Sequence, residues 1–347
     1  MAAVELGVYP FSNDSSTLMS DAGGIEEKVQ TSYGIVKVSI YGNRKKQPIL
    51  TFHDLGMDAD NNFQNFFQFG TVAEFADKFC VYNINAPGQA MDDKPFPENY
   101  VFPTMDSMPS IIQSVVNHFG FQSFIGFGIG AGANALLRYT LANQEKVDAL
   151  ILINCSATSA GWIEWGYQKM NLKYLRSQKM TAFTIDYLMW HHFGKRMDES
   201  NPDIIRQYRS FFNNLPNPGN LAMFIESYLN RTAIHFSRDG SSGPKLNVPV
   251  LQLVGDRSGF IEDTVTVNTK LDPAKSDWVK VSDSCGLILD DKPEKATHSI
   301  LLFLQGLGYF PAINVNTLIK RLEASQNGSM TTTTTICENI NETEAAF

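Results

Sequence analysis

The chain has 347 residues, of which 43% are hydrophobic and 18% charged, and its formal net charge is -8 at pH 7. This composition is typical of a globular protein rather than a disordered one, and the length accommodates one large domain or two modest ones. The negative charge disfavours general binding to nucleic acid or to anionic membrane surfaces.

The cysteines and the N-terminus indicate a reduced, cytoplasmic protein. Four widely separated cysteines (Cys80, Cys155, Cys285, Cys337) form no C-x-x-C pair, a spacing typical of neither a disulfide framework nor a zinc site. We therefore expect no metal and no cofactor. The N-terminus lacks a basic segment followed by an apolar core, and no run of about 18 apolar residues occurs, so neither a signal peptide nor a membrane-spanning segment is predicted. The lack of repeats or heptads favours a monomer.

The first half of the chain reads as strands followed by a helix. Residues 1–25 are polar, and we expect them to be loosely ordered. "KVQTSYGIVKVSIYG" alternates like a strand or hairpin with Gly34 at the turn, and "PILTFHDLG" and "FADKFCVYNINAPGQ" are typical of buried strands that end in turn residues. Between Met108 and Phe119 apolar residues recur at helical spacing, and Gly120 marks the end of that helix.

The second half indicates a parallel sheet with an insertion. "SFIGFGIGAGANALLRYTLANQEKVDALILIN" predicts a strand, a glycine turn, a helix and a strand. Residues 161–240 predict four short aromatic-rich helices, after which β-character returns and "PEKATHSILLFLQGLG" predicts a closing helix. We expect an α/β-hydrolase fold, a mostly parallel doubly wound sheet whose core comprises 26–160 and 241–314, with 161–240 as a helical cap. Residues 323–347 lack periodic apolar positions and are predicted to be disordered.

The glycine turn "GFGIG" lies where hydrolases of this fold present a nucleophile as G-x-S-x-G. With Gly126 and Gly130 as the flanking glycines, Gly128 takes the central position, and a glycine has no side-chain atom that can attack a carbonyl. The register Gly128-x-Gly130-x-x-Ala133 also fits a dinucleotide-binding fingerprint. That function is disfavoured because the next strand ends in Asn154 instead of an acidic residue, and because the motif comes late in the fold.

The acid and base positions are also incomplete. Asp256 follows the strand after the cap, where a carboxylate would orient a catalytic histidine, and Asp263 lies a turn later. Without a histidine partner, Asp256 is better explained as a structural loop residue. The Gly-His pair expected before the final helix is replaced by Gly286 and Leu287, and the next histidine is His298. The degenerate triad positions are therefore Gly128, Asp256 and Leu287.

Few other side chains could take over the chemistry. His53 and Asp54 follow a buried strand in the loop that supplies oxyanion-hole donors, so His53, Asp54, Gly128, Ile129 and Asp256 form the candidate pocket. His53 is nevertheless better explained as a structural residue, because no nucleophile partner is evident. Nothing in the sequence marks Cys155 or Ser156 as activated. On a helix, the adjacent His191 and His192 point about 100° apart, which disfavours a shared metal ion.

Six stretches together resemble the N-myc downstream regulated (NDRG) family: "FHDLGMD", "NINAPGQ", "FPTMDSMPSIIQSVVNHFGF", "IGFGIGAGANALLRYTL", "LINCSATSAGWIEW" and "FLQGLGY". The resemblance extends from about Glu26 to about Asn314 and is specific, since "APGQ", "VVNHFGF" and "GWIEW" have no general catalytic meaning. It implies an α/β-hydrolase fold with a helical cap but without hydrolase activity. It also implies roles in stress response, differentiation, growth control, signalling and vesicle trafficking, exerted through protein partners mostly in the cytoplasm.

Two functions follow as hypotheses. The first is a non-enzymatic cytosolic adaptor, associated with vesicles only through partners, whose cap offers Trp162, Trp165 and Trp190 as candidate binding residues. The second is a small-molecule receptor or atypical hydrolase that uses the degenerate pocket around His53 and Asp256. The run Thr331 to Thr335 is a candidate for phosphorylation, although a solvated linker explains it equally well.

Overall fold

The computed structural model describes residues 24–68, 78–161 and 180–310, together with Phe75. The predictions for residues 1–23, for Trp162 and Trp165, and for the C-terminal tail with Thr331 to Thr335 lie outside the described residues.

Eight strands form a single sheet in the order β1-β2-β4-β3-β5-β6-β7-β8. Their bounds are β1 Ile25–Thr31, β2 Gly34–Tyr41, β3 Gln47–Phe52, β4 Phe79–Ile84, β5 Phe124–Ile129, β6 Val147–Ile153, β7 Val250–Gly255 and β8 Ser276–Val281. The first two strands form the predicted antiparallel hairpin, in which Thr31 pairs with Gly34 and Gly34 has a φ of +99°. Strands β3 to β8 are all parallel, as the strand and helix alternation predicts.

Nine α-helices lie within the described residues. They are α1 Ala59–Gln68, α2 Met108–Phe119, α3 Ala131–Ala142, α4 Ala182–Phe193, α5 Pro202–Asn213, α6 Pro218–Leu229, α7 Ile261–Lys270, α8 Ile288–Asp291 and α9 Pro293–Gly306. Helix α2 confirms the periodicity of its sequence, because its predicted apolar face from Met108 to Val116 is buried and Gly120 ends it in a left-handed conformation. None of these helices has the length and apolar character needed to cross a bilayer.

The sheet separates two hydrophobic cores because alternate residues of each strand face opposite sides. Leu50, Leu150 and Leu152 point to the core beneath α2 and α3, which continues into helices α4 to α6. Ile49 and Ile151 point to the second core, which α1, α8 and α9 cover. The fold is therefore the doubly wound α/β-hydrolase arrangement that the sequence predicts.

Helices α4, α5 and α6 lie between β6 and β7 in the chain, inside the segment predicted to form a cap. Their buried side chains, such as Leu188, Phe212 and Phe224, belong to the core that contains α2 and α3. This packing places the end of α4 over the carboxyl ends of the strands, where parallel sheets form their sites. The exact limits of core and cap remain predictions.

Candidate functional site

The sharp turn between β5 and α3 has its apex at Gly130, two residues later than predicted. Gly130 has φ +51° and ψ -111°, whereas Gly128 lies inside β5 and pairs with Leu152. Strand β5 continues through Ile129, and the Gly130 N–H still donates to the Ile153 carbonyl at 2.9 Å. The assignment of Gly128 to the strained position is therefore wrong, because strand pairing persists to the end of "GFGI". The residue that the turn presents is still a glycine.

A side chain at Gly130 would collide with Asp54. An added Cβ would lie 2.1 Å from Asp54 Oδ2 and 2.2 Å from both Cγ and Oδ1. Real carbon atoms do not approach oxygen so closely, and the positive φ disfavours any other residue as well. The Asp54 carboxylate thus fills the space into which a side chain at the apex would project.

The same carboxylate accepts hydrogen bonds from backbone N–H groups at the turn and in the loop after β3. Its Oδ1 accepts hydrogen bonds from the N–H groups of Leu55, at 2.8 Å, and of Ala131, at 2.9 Å. The residue after the nucleophile and the loop after β3 are the two places from which α/β-hydrolases take oxyanion-hole donors. Asp54 therefore provides an internal anion for donors that would otherwise stabilise a reaction intermediate.

The other carboxylate oxygen faces two histidines of helix α4. Asp54 Oδ2 lies 2.9 Å from His191 Nε2 and 3.9 Å from His192 Nδ1. Asp54 is only 1% exposed. Burial acts to raise its pKa, but attraction to His191, the hydrogen bond with that ring and the Ala131 N–H outweigh burial and lower the pKa to about 2. Asp54 is therefore an ionised carboxylate at neutral pH.

His53 cannot serve as a base because both ring nitrogens are engaged. Nε2 accepts a hydrogen bond from the Ala86 N–H at 2.9 Å, which places the proton on Nδ1, and Nδ1 donates to the Asp54 carbonyl at 2.8 Å. The ring is fully buried, and burial lowers its pKa to about 4. His53 joins the loop after β3 to the loop after β4, which is the structural role favoured from the sequence.

Asp256, at the predicted acid position, also has a structural role. Asp256 Oδ1 accepts a hydrogen bond from the Ser284 N–H at 3.1 Å. Burial acts to raise the pKa of Asp256, but backbone donors at Asp283 and Ser284 outweigh it and lower the pKa. Asp263 accepts hydrogen bonds from the hydroxyls of Ser156 and Thr158. Neither carboxylate hydrogen-bonds a histidine among the described residues.

Leu287 is buried at the start of α8 and offers no base. Its neighbour Gly286 could not carry a side chain either, because an added Cβ would lie 2.4 Å from the His192 carbonyl oxygen. The last turn of helix α4 therefore lies against the residue directly before Leu287, the position where the final loop would deliver a catalytic histidine.

Asn154 is a site residue whose importance the sequence does not reveal. It has φ +51°, its Nδ2 donates to the Gly286 carbonyl at 2.8 Å, and its Oδ1 accepts from the Ser258 hydroxyl at 3.0 Å. These bonds connect the carboxyl ends of β6, β7 and β8. Since the partners lie more than 100 residues away, the only local signal is a polar residue directly after a buried strand.

The remaining candidates are buried or lie on the cap. Burial raises the pKa of the Cys155 thiol to about 12, so this cysteine is not an activated nucleophile. Ile129 points into the core under α1 and α9. Trp190 lies on α4, half-buried against the other core, and its role in partner binding remains a prediction.

His191 and His192 approach the same carboxylate, contrary to the prediction from their angular separation. His191 uses Nε2, at the far end of its ring, whereas His192 uses Nδ1, next to its Cβ, so that side chains leaving the helix in different directions still reach one atom. Together with Asp54 they could hold a metal ion, since one ligand atom of each lies within 4.8 Å of the other two.

The family model of the Ndr family matches residues 26–311. The chain belongs to the Ndr family. Three curated relatives agree with this assignment. Protein NDRG3 of Xenopus tropicalis is 35% identical over 317 residues, which cover 90% of this chain and 80% of the relative. Protein NDRG2 of Xenopus laevis is 34% identical, and the match covers 88% of this chain and 82% of the relative. Protein NDRG4-B of Xenopus laevis is 32% identical, and the match covers 94% of this chain and 87% of the relative. The resemblance identified from the sequence is confirmed.

Solved structures show that this Ndr protein has the fold of α/β-hydrolases. A thermophilic esterase from Thermogutta terrifontis has a TM-score of 0.66 at 18% identity, over 81% of this chain and 98% of the esterase. An enol-lactonase from Burkholderia xenovorans LB400 has a TM-score of 0.61 at 13% identity, over 80% of this chain and 100% of the enol-lactonase. At these identities the likeness concerns the fold, which is the predicted one.

Proposed function

We propose that this Ndr protein is a non-enzymatic member of the α/β-hydrolase fold that acts as a cytosolic adaptor through protein partners. Signal transduction, stress response, differentiation and vesicle trafficking are the processes in which we expect it to act. Membership of the Ndr family, whose curated relatives have names without catalytic terms, supports this proposal.

The observation that most strongly supports it is the position of Asp54. Gly130 presents no nucleophile, and the Asp54 carboxylate occupies both the space of the missing side chain and the two backbone donors. A substrate carbonyl would have to displace a buried, ionised group from this place. Displacement would break two charge-assisted hydrogen bonds, which typically contribute about 1.5–3 kcal/mol each.

Turnover of a panel of short and long acyl esters tests the absence of catalysis. We expect the wild-type protein to hydrolyse none of them above the background rate. Asp54→Asn is the matched control, because any activity that relies on this carboxylate would change in that variant, whereas contaminating esterase activity would not. Saturable turnover that Asp54→Asn alters would refute the non-enzymatic assignment.

Partner binding needs a separate experiment. We expect affinity capture from cytosol to yield the same proteins in replicate, and purified partners to bind with a measurable Kd by calorimetry. An active esterase of the same fold, carried through the same capture, controls for general stickiness. Trp190→Ala tests the cap, since aromatic residues often dominate interfaces. If no captured protein binds directly in purified form, the adaptor proposal fails.

The alternative, a receptor or hydrolase that uses His53 and Asp256, has less support. Both nitrogens of His53 are hydrogen-bonded, and Asp256 is bound to the Ser284 N–H. A hydrolase would therefore need a base other than His53. A receptor without turnover would show itself through ligand-dependent thermal stabilisation.

A further inference from the structure

The carboxyl end of β3 and the last turn of α4 enclose three side chains whose ligand atoms face one another. Asp54 Oδ2 lies 2.9 Å from His191 Nε2 and 3.9 Å from His192 Nδ1. The residues are 1%, 1% and 3% exposed, respectively. We call Asp54, His191 and His192 the DHH cluster. It lies beneath the turn at Gly130, and a ligand bound there would go beyond the adaptor function proposed above.

Hydrogen bonds outside the DHH cluster fix the orientation of two of its ligands, Asp54 and His192. Asp54 Oδ1 accepts from the two backbone N–H groups of Leu55 and Ala131, which leaves Oδ2 directed at the histidines. His192 Nε2 lies 2.8 Å from the Leu55 carbonyl, an acceptor only, so this nitrogen carries the proton. The lone pair of His192 Nδ1 is thereby left on the side of Asp54. Such outer partners commonly fix the tautomer of metal-binding histidines.

A proton alone does not satisfy this arrangement. A proton on His191 Nε2 satisfies the 2.9 Å contact with Asp54 Oδ2. The lone pair of His192 Nδ1 would still face the same negatively charged oxygen at 3.9 Å, in a place without solvent. A cation shared by all three atoms would turn this repulsion into attraction.

The geometry points to a Zn²⁺ site formed by Asp54 Oδ2, His191 Nε2 and His192 Nδ1. Two imidazoles and one carboxylate are a frequent ligand set for zinc, whereas Ca²⁺ and Mg²⁺ require mostly oxygen ligands. Tetrahedral bonds of about 2.0–2.1 Å separate neighbouring ligand atoms by roughly 3.3 Å. The observed separations of 2.9 and 3.9 Å differ from this value by about 0.4 and 0.6 Å, and the two histidine nitrogens lie within 4.8 Å of each other. A fourth ligand would be a single water molecule enclosed with the ion, since the cluster provides three ligand atoms.

The depth of the DHH cluster indicates a structural role for the ion. Zinc would link the loop after β3 to helix α4 at a place that no substrate reaches without opening the cap. His192 stacks on Phe212 at 5.4 Å, and His191 lies edge-on to Phe260 at 5.1 Å, so both rings are already held in place. The cap would then be fastened to the core by coordination as well as by apolar packing.

Metal content tests the proposal directly. The full chain, prepared without a polyhistidine tag and dialysed against a weak chelator, should retain about one equivalent of zinc by mass spectrometry. Removing zinc with a strong chelator after unfolding, and refolding without metal, should lower the Tm. Added Zn²⁺ at about 100 times its Kd should restore roughly 5 °C, and Mg²⁺ should restore nothing.

His192→Phe is the decisive variant, because a phenylalanine can keep the ring stack on Phe212 while removing the ligand. We expect its zinc content to fall at least about tenfold. The control is His235→Phe, at an exposed position outside the DHH cluster, which should keep its zinc. If His192→Phe does not fold, wild type refolded with Co²⁺ should show the strong visible absorption of a four-coordinate site. A metal-free wild type that gains no stability from Zn²⁺ and shows no such absorption with Co²⁺ would overturn the proposal.

Discussion

Replacing Gly130 by alanine tests whether the Asp54 carboxylate occupies the place of a lost side chain. Two costs arise in the variant. A non-glycine residue at φ +51° and ψ -111° is strained by about 1–3 kcal/mol. The new Cβ would also lie 2.1 Å from Asp54 Oδ2, so that the carboxylate must move by more than 1 Å to reach ordinary contact. That movement breaks its two backbone hydrogen bonds, at about 1.5–3 kcal/mol each.

The expected destabilisation of Gly130→Ala is therefore about 4–9 kcal/mol, comparable with the whole stability of an ordinary domain. Asp54→Ala removes the colliding atoms but leaves the backbone strain. In that background we expect Gly130→Ala to cost only about 1–3 kcal/mol. The difference is an interaction energy of about 3 kcal/mol or more in a double-mutant cycle.

Urea unfolding followed by fluorescence and circular dichroism measures the cycle, with m-values as a check on two-state behaviour. Gly120→Ala is the matched control, because Gly120 has φ +67° but nothing within 4 Å of an added Cβ. Its left-handed backbone should cost about 1–2 kcal/mol with alanine, and this cost should be the same with and without Asp54→Ala. Additive effects of Gly130→Ala and Asp54→Ala would refute the steric explanation.

Three further predictions concern single substitutions. Asp58 is buried, and burial together with the charge of Asp60 raises its pKa from 3.8 to about 7. The folded state therefore favours the protonated carboxyl. Below pH 3.8 this group does not lower the free energy of unfolding, and as the pH rises from 3.8 to about 7 the free energy of unfolding falls. Asp58 Oδ1 accepts a hydrogen bond from the Asn61 N–H at the start of α1, a bond that an asparagine oxygen can also accept. Asp58→Asn should therefore gain about 2–4 kcal/mol relative to wild type at pH 8 but little at pH 4, as measured by urea unfolding at both values. His53→Leu leaves the Ala86 N–H without an acceptor and should cost about 2–4 kcal/mol, whereas an unchanged urea midpoint would contradict the bonding described here. Asn154→Gly keeps the left-handed backbone but loses both side-chain bonds, so it should be destabilised less than Asn154→Ala by about 1 kcal/mol, and the reverse order would contradict this assignment.

Local sequence patterns predict the scaffold well. Helix α2 follows from apolar residues at helical spacing that end at Gly120, and both are as the structure has them. Strands β3 and β4 follow from short apolar runs that end in turn residues, because strands buried on both faces are apolar throughout. These features depend on residues close together in the chain, so the sequence contains the information needed to predict them.

The apex of the turn depends on distant residues instead. "GFGIGAG" offers glycine at both Gly128 and Gly130, and each could occupy a strained position as readily as the other. The pairing of Ile129 with Ile153 on β6 extends the strand and selects Gly130. The contact of Asp54 with Ala131 spans 77 residues, so a carboxylate in the oxyanion hole could not be inferred from its neighbours in the sequence.

The Asp54 carboxylate stabilises the fold from the same place that a nucleophile side chain at position 130 would need. A serine at position 130 would meet the Asp54 carboxylate, because an added Cβ there would lie 2.1 Å from Asp54 Oδ2. Removing Asp54 to admit the serine would leave the Leu55 and Ala131 N–H groups without their anion and His191 without its partner. Restoring the serine therefore destabilises the protein before any rate is gained. A glycine at the apex of the turn and a carboxylate in the backbone donors are therefore stabilised together, so that changing either one alone is expected to destabilise the fold.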